Sequence, residues 1–569
     1  VIRKYDQDEN VTNKKIINYD WDNNEVREKR TPNSAERRYQ KTLSKNFTLY
    51  ADYKKNFNDR HDLSVMVGTS HESENYDRFT AKRINFDQQE NMSLQLGSAQ
   101  DQNAWSEGNQ WTINSFFSRV NYTFANKYVI EGTIRADGSS RFDPDHRWGW
   151  FPGVNAAWRV GEEGFMKRLG WFEDLKVRAS YGEMGNQSGI GLYDYIQLIS
   201  LSNDYYPFGA GVKGQMATSG NIISTSRTWE TIQTTNVGFD FSTLNNRLYG
   251  SFDYFWKENK NMLIPKTYPS MLGADAPSTN SGHLSIHGWE ISLGWRDQIK
   301  DFSYSVRFNI SDAKNKVVDR VGSNLIQLGN NETPTGYPLN SYFGYEFDGI
   351  IQNEQELEAY KSRFSEGGIP GDLSVGDAMY KDLDGDGKLS VLGDGKEGSG
   401  DVKYLGDKNP RYNFGFNLSM AWKGFDLSAF IQGVGRRTMF LEGESRCPMP
   451  EAWYQSAEYW YGKTWTPERT DAQYPAITLK DKRNYNYYVS TNTKFNVAYA
   501  RLKNLQFGYT IPQTLTSKAG LQKVRVYFSG EDLFEVHNTP NGWDPEENSG
   551  SITSYPFTRN YSFGINVVF

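Results

Sequence analysis

Side chains that alternate with a period of two along most of the chain do more than any other feature to narrow what it can fold into. Tyr412, Phe414, Phe416, Leu418, Met420 and Trp422 take turns with Asn413, Gly415, Asn417, Ser419 and Ala421. Successive side chains of a strand point to opposite faces, so this segment has one greasy, aromatic face and one small, polar face. After the tight Lys423-Gly424 link the phase resumes with Phe425, Leu427, Ala429 and Ile431 against Asp426, Ser428 and Gln432, which predicts an antiparallel hairpin. The same pattern runs through Val237, Phe239 and Phe241, a Leu244-Asn245-Asn246 turn, then Leu248, Phe252, Tyr254 and Trp256. It returns in Trp289, Ile291, Leu293 and Trp295, followed by Phe302, Tyr304, Val306, Phe308 and Ile310. Further strands are predicted near 43–54, 61–70, 113–124, 127–136, 151–160, 173–183, 498–510, 523–532 and 559–569, for roughly sixteen to eighteen in all.

Connections between these strands alternate in length. Short turns are predicted near 55–61, 124–127, 242–247, 296–302 and 422–425, and long stretches near 71–112, 184–228, 258–285, 312–410 and 436–494. If every strand crosses one layer, brief turns fall on the periplasmic side and long loops outside. A soluble β-sandwich has no physical reason to keep its long loops on one side of so many hairpins. The fold class predicted is therefore all-β, a transmembrane antiparallel β-barrel forming one domain over residues 1–569, in the outer membrane of a Gram-negative bacterium.

Composition agrees with that class. Aromatic residues make up 15% of the chain, with 36 Tyr, 33 Phe and 16 Trp. Mean hydropathy is nevertheless -0.72, and no stretch approaches the ~18 consecutive apolar residues of a helical span. In a membrane barrel only every second residue faces lipid, so averaged hydropathy is blind to it. The last segment sets Tyr561, Phe563, Ile565, Val567 and Phe569 against Ser562, Gly564, Asn566 and Val568. Ending on an outward aromatic residue is the usual assembly signal of outer-membrane barrels, although a soluble β protein can also end on Phe. The net charge of -6 gives no basic footprint for nucleic acid. One cysteine, Cys447, permits neither an internal disulfide nor a thiolate metal site. The chain opens Val1-Ile2-Arg3-Lys4-Tyr5, without an initiator Met or the apolar core of a signal peptide, and is expected to be part of a longer protein.

Few motifs carry chemistry. Asp382-Leu383-Asp384-Gly385-Asp386-Gly387-Lys388-Leu389-Ser390 follows the D-x-D-x-D-G opening of a calcium loop, with a chain carbonyl available at Lys388. Carboxylates spaced two apart on a turning backbone can converge on one hard cation. Position twelve is Gly393 where a bidentate Glu would close the site, so Asp394 or Asp401 would have to substitute. The expected ligand set is Asp382, Asp384, Asp386, Lys388, Ser390 and Asp394 around Ca2+ or Mg2+, stiffening an extracellular loop; the alternative is a plain Asp/Gly turn.

Aromatic residues cluster at Trp453, Tyr454, Tyr459, Trp460, Tyr461 and Trp465, and again at Tyr485, Tyr487 and Tyr488. Such faces suit stacking on sugar rings, which makes Trp453, Tyr454, Trp460 and Trp465 the substrate-binding candidates; packing against one another or against a partner is the favoured reading of any single one. Gly209-Ala210-Gly211-Val212-Lys213-Gly214 matches GxGxxG without a surrounding βαβ unit and is set aside. His283 and His287 stand at a helical metal spacing, but Trp289 and Ile291 place them on a strand. With no HExxH or GxSxG element, no catalytic residue, organic cofactor or enzymatic activity is expected.

Specific strings resemble the SusC/RagA family, relatives of TonB-dependent receptors. Arg135-Ala136-Asp137-Gly138-Ser139-Ser140-Arg141-Phe142 with Trp150-Phe151-Pro152-Gly153 and Ala156-Ala157-Trp158 is similar to the family's "RxDGSSRF" loop and "FPxxxxAW" return strand. Leu175-Lys176-Val177-Arg178-Ala179-Ser180-Tyr181-Gly182 with Gly185-Asn186-Gln187 resembles its "LKxRASYGxxGNQ" element. Tyr404-Leu405-Gly406-Asp407 with Asn409-Pro410-Arg411-Tyr412, and Ser529-Gly530-Glu531-Asp532-Leu533-Phe534, are similar to stretches near its last strands. The resemblance implies a 22-stranded barrel whose N-terminal plug, TonB-contacting segment and first strands are not in this chain. It also implies TonB-energised import of a bulky nutrient, an oligosaccharide first and an oligopeptide second, beneath a SusD-type surface lipoprotein lid, and it admits a dimer of such pairs. A passive porin or adhesin barrel would share the periodic features, and a secreted β-rich carbohydrate-binding protein is a further alternative.

Overall fold

The computed structural model describes residues 2–5, 13–19, 25–86, 93–100, 102–202, 207–208, 212–213, 216–220, 222–265, 271, 277–320, 334–392, 400–450, 456–478, 481–547, 550 and 557–569. Its main feature is one fifteen-stranded antiparallel sheet in which each strand pairs with the next along the chain. In order the strands are β1 (Ser34–Phe57), β2 (His61–Ile84), β3 (Gln102–Phe124), β4 (Tyr128–Ser139) and β5 (Trp148–Arg159). There follow β6 (Asp174–Asn186), β7 (Glu230–Thr243), β8 (Leu248–Pro265), β9 (Ser278–Ile299) and β10 (Phe302–Asp319). The last five are β11 (Arg411–Trp422), β12 (Phe425–Arg436), β13 (Tyr499–Thr510), β14 (Lys523–His537) and β15 (Asn560–Val568). Among the described residues the edges of β1 and β15 are unpaired, so the barrel wall is open along one seam.

Every segment named from its alternation is a strand of this sheet; the total of fifteen is below the roughly sixteen to eighteen expected. Off the wall, small hairpins form within the loops, such as Ser341–Tyr345 paired with Val402–Asp407. Ile2–Tyr5, Asn13–Tyr19 and Glu25–Pro32 likewise make a separate three-stranded sheet.

Registers set the two faces. Phe416 lies opposite Phe308 and Ile431, while Asn417 lies opposite Arg307 and Phe430, so one side of the wall gathers apolar groups and the other mainly polar ones. The outward face is not buried in a globule: Tyr561 is 63% exposed, Phe563 84% and Phe569 82%. The buried hydrophobic clusters sit in loops and at strand ends instead. A sheet without an apolar core behind it is stable when lipid covers one side and water the other.

The short turns lie where predicted. Asn58 and Asp59, Ala125 and Asn126, Leu244 to Asn246, Lys300, Lys423 and Gly424 all take positive φ, the left-handed geometry of tight hairpins. On the opposite side the strands outrun their expected ends. β2 continues to Ile84 and β3 starts at Gln102, so most of the stretch 71–112 expected as loop is paired strand. The same correction applies to 258–285, where β8 reaches Pro265 and β9 starts at Ser278, and to the first residues of 312–410. Alternation stops at the hydrocarbon edge, but ladder hydrogen bonds do not. Residues 71–78 read His-Glu-Ser-Glu-Asn-Tyr-Asp-Arg, polar on both faces, and still pair along their length.

Candidate functional site: a polar lumen beneath a folded dome of loops

The inward face of the wall is built from Asn, Ser, Gln, Gly and charged residues that pair with one another. Arg178 on β6 spans Asp240 on β7 (2.9 Å) and Asp253 on β8 (3.0 Å), and Lys176 joins Asp240 at 2.8 Å. Arg525 meets Asp426 at 2.5 Å; at the long-loop end of the strands Arg411 is hydrogen-bonded by two nitrogens to Asp312, which lies across from Trp289 on the outward register. Fork-to-carboxylate pairing of this kind offsets the cost of holding charge in a partly dehydrated lumen.

The densest group fastens the β14–β15 loop to the wall. Arg501 is 1% exposed. Its Nη2 donates to Asp544 at 2.5 Å, Nη1 lies 3.2 Å from Glu546 without hydrogen-bond alignment, and its guanidinium sits 4.5 Å from the Phe557 ring centre. Lys503 adds ion pairs to Asp532 at 2.7 Å and Glu546 at 3.1 Å.

On the long-loop side, the β10–β11 and β12–β13 connections fold together into a dome. Tyr345, Ile351, Leu357, Tyr360, Leu373, Ala378, Tyr380 and Tyr485 form one core. Three buried phenols knit it: Tyr360 and Tyr485 share a 2.8 Å hydroxyl bond, and the Tyr380 hydroxyl donates to the Tyr485 carbonyl at 2.8 Å. Burial pushes the Tyr380 and Tyr485 hydroxyls well above the usual phenol range, so they stay protonated donors. A second core joins Met439, Leu441, Cys447, Tyr459, Trp460, Tyr474, Tyr487, Val497 and Trp543, the last from the β14–β15 loop.

The aromatic candidates are distributed accordingly. Trp460 is 3% exposed, with its ring 4.9 Å from that of Tyr474 and 5.5 Å from that of Tyr487, so its faces are spent on packing and not open to a sugar. Trp465 is half-buried and donates Nε1 to Gln352 at 3.0 Å. Trp453 and Tyr454 lie outside the described residues, as do 209–211 and 214 of the GxGxxG stretch. His283 bonds Glu258 at 2.5 Å from its place on β9. No periodicity in the sequence marks Trp543, an isolated Trp in a polar loop that the fold brings into the second core.

At the edge of the dome, carboxylate oxygens of Asp382, Asp384 and Asp401 all lie within 4.8 Å of one another. Asp401 is fully buried and accepts the amides of Leu383 (2.6 Å) and Ser390 (2.8 Å). Asp382 accepts Gly385 (2.6 Å) and Gly387 (2.9 Å), two glycines whose positive φ lets the chain curl around it. Burial, then neighbouring carboxylates, raises the Asp384 and Asp401 carboxyls above their ordinary range. Of the expected ligands, Asp382 and Asp384 are thus brought together, with Asp401 as the third carboxylate. Asp386 turns to the Lys388 amide at 2.7 Å, Ser390 contributes its amide to Asp401, and Asp394 lies outside the described residues. Hard oxygens gathered this closely fit the donor set of a divalent cation.

A lipid-facing wall, a polar lumen and long loops confined to one side define an outer-membrane β-barrel. The family described as TonB dependent receptor-like, β-barrel, matches residues 3–533, and the chain belongs to it, in its SusC/RagA branch. The chain is 32% identical over 558 residues to TonB-dependent receptor P3 of Formosa agariphila, covering 93% of this chain and 52% of the relative. To TonB-dependent receptor SusC of Bacteroides thetaiotaomicron it is 26% identical over 568 residues, covering 92% and 50%. The fold is shared with the RagAB peptide transporter at a TM-score of 0.77 and 23% identity, over 94% of this chain and 56% of that one. The chain spans about half the length of the curated relatives it matches.

Proposed function

We propose that the protein containing this barrel imports a bulky nutrient across the outer membrane, an oligosaccharide, energised through TonB and working beneath a SusD-type lipoprotein. The observation that carries this reading is a lumen wall rich in amide and hydroxyl side chains, capped by a folded dome. Neutral groups that both donate and accept match vicinal sugar hydroxyls, and the inward carboxylates Asp240 and Asp426 are each paired with an arginine. No bond of the cargo is made or broken; the family is one of transporters and not of enzymes. An oligopeptide is the second reading, favoured by the fold shared with a peptide transporter. Purifying the full-length protein from membranes in detergent, with mass spectrometry of co-purifying protein and retained ligand, tests both. A surface lipoprotein together with a glycan supports the proposal. A bound peptide moves the cargo to the second reading, and a barrel with neither plug nor lipoprotein defeats it in favour of a passive pore.

Within the same proposal, Asp382, Asp384 and Asp401 hold Ca2+ or Mg2+ and brace the dome. Calcium titration of the purified protein, followed by calorimetry, should give a saturable site that Asp384→Asn removes.

A further inference from the structure

The outward face of β8, β9 and β10 changes character row by row, and the register fixes the depth of each row. At the short-turn end Tyr304 lies opposite Asp297, whose charge is paired with Arg247 at 3.3 Å. Above them Trp295 lies opposite Val306, Leu293 opposite Phe308 and Ile291 opposite Ile310. The apolar run closes on Trp289, set between Tyr254 of β8 and Asp312 of β10, and Asp312 is held by Arg411. From Tyr304 to Asp312 the strand runs roughly 27 Å, or roughly 20 Å along the membrane normal at the usual barrel tilt. With the girdle rings added at each end, that is the height of a hydrocarbon band. Trp289 and the Tyr254–Trp256 pair, whose ring centres are 4.5 Å apart, form its outer aromatic girdle.

The next row outward sets His287 between Trp256 and Lys314, and the row after it sets Ser285 between Glu258 and Lys316. Residues directly opposite on neighbouring strands stand about 5 Å apart at their Cβ atoms. Lys314 and Lys316, two apart on one strand, point the same way. Both lysines and His287 are exposed, and among the described residues their side chains make no hydrogen bond or ion pair. The carboxylates of the same face are already engaged. Glu258 accepts from Ser285 at 2.7 Å and bonds His283 at 2.5 Å, and Asp312 belongs to Arg411. The patch therefore turns two ammonium groups and an imidazole toward lipid at headgroup depth. It lies on the outside of the wall and well away from the open seam, with β7 to β11 all paired around it. The long loops mark this side as the outer leaflet, where phosphate is carried by lipid A. We infer that Lys314, Lys316 and His287 bind a lipid A phosphate and hold that lipid against the barrel without a bridging divalent ion.

The site is independent of the cargo, and its test leaves the import reading untouched. The full-length protein, purified in detergent and stripped of lipid, is titrated by native mass spectrometry in the presence of a chelator. The two probes are lipid A and lipid A freed of its phosphates. The phosphorylated form should bind about tenfold or more tightly, the worth of two ammonium groups beside one lipid phosphate. Lys314→Gln with Lys316→Gln should lower it to the level of the dephosphorylated lipid, and Lys314→Arg with Lys316→Arg should keep most of the preference. Lys518→Gln, an exposed lysine at the short-turn end, should change nothing. Equal binding of the two lipids overturns the site, as does a preference that survives the glutamine pair or falls equally with Lys518→Gln. A preference that appears only with calcium present overturns it as well, because the ion and not the lysines would then hold the phosphate. A glutamine pair that alters the oligomeric state and leaves the lipid preference intact also defeats it, and makes the patch a contact between copies of the chain.

Discussion

The wall and the dome draw on the same aromatic alphabet and spend it in opposite ways. On the wall, Phe563 and Phe569 turn outward and stay exposed to whatever surrounds the barrel. In the dome, Trp460, Tyr474, Tyr380 and Tyr485 collapse inward and leave water altogether. The wall's stability comes from a hydrogen-bonded ladder whose outward groups prefer hydrocarbon; the dome's comes from ordinary apolar burial, as in a soluble domain. The two should therefore fail independently, and mutations can show whether they do.

The largest effect is expected in the dome core. Trp460→Ala should cost about 3–5 kcal/mol of dome stability, the range for removing a large buried aromatic side chain. Limited proteolysis of the intact protein should cut within 437–498, while the barrel still migrates as a folded species on unheated gels; loss of barrel folding would mean that the two regions are one cooperative unit. Next comes the wall. Phe416→Arg places a charge on the lipid face near mid-strand and should cost about 2–4 kcal/mol, whereas Asn417→Arg, one residue on and facing the lumen, should cost far less. Chemical unfolding in lipid vesicles measures both, and equal penalties would refute the two-faced wall. Tyr360→Phe removes the hydroxyl shared with Tyr485 and leaves a buried partner unpaired, for a loss of about 1–3 kcal/mol confined to the dome.

This contrast also explains what the sequence made legible. A period of two survives as long as one face is lipid and the other is polar, so Tyr412 to Trp422 and its fellow strands could be located from residue order alone. The pattern fades at 71–78, where both faces are polar, so alternation predicts a loop where the ladder in fact continues. In the dome no period exists, because contacts join Tyr360 to Tyr485 and Trp543 to Tyr459 across long stretches of chain. The Asp-rich loop was half legible for the same reason. Asp382 and Asp384 are local to the motif; the sequence offers Asp394 and Asp401 alike as the closing carboxylate, and only the fold brings Asp401 to the cluster.

The smallest expected effect concerns that acidic loop and separates it from the rest of the dome. Asp384 and Asp401 have raised carboxyls, so their contribution to the folded loop is fully present below the ordinary carboxylate range and is lost as pH rises through the raised values. Glu346 is the opposite case: Lys381 and Lys403 hold it down at about 2 from a usual 4.5, and its contribution is lost as pH falls between those values. With divalent cations chelated, proteolytic resistance of the 378–404 segment should therefore peak at mildly acidic pH and decline a few-fold toward neutrality. Adding calcium should abolish the neutral-side decline and leave the acid-side loss untouched, because a bound cation replaces protons at the Asp cluster but does nothing for Glu346. Asp384→Asn should flatten the neutral side without calcium. A neutral-side decline that calcium fails to reverse would mean that the three carboxylates repel without ever sharing a cation.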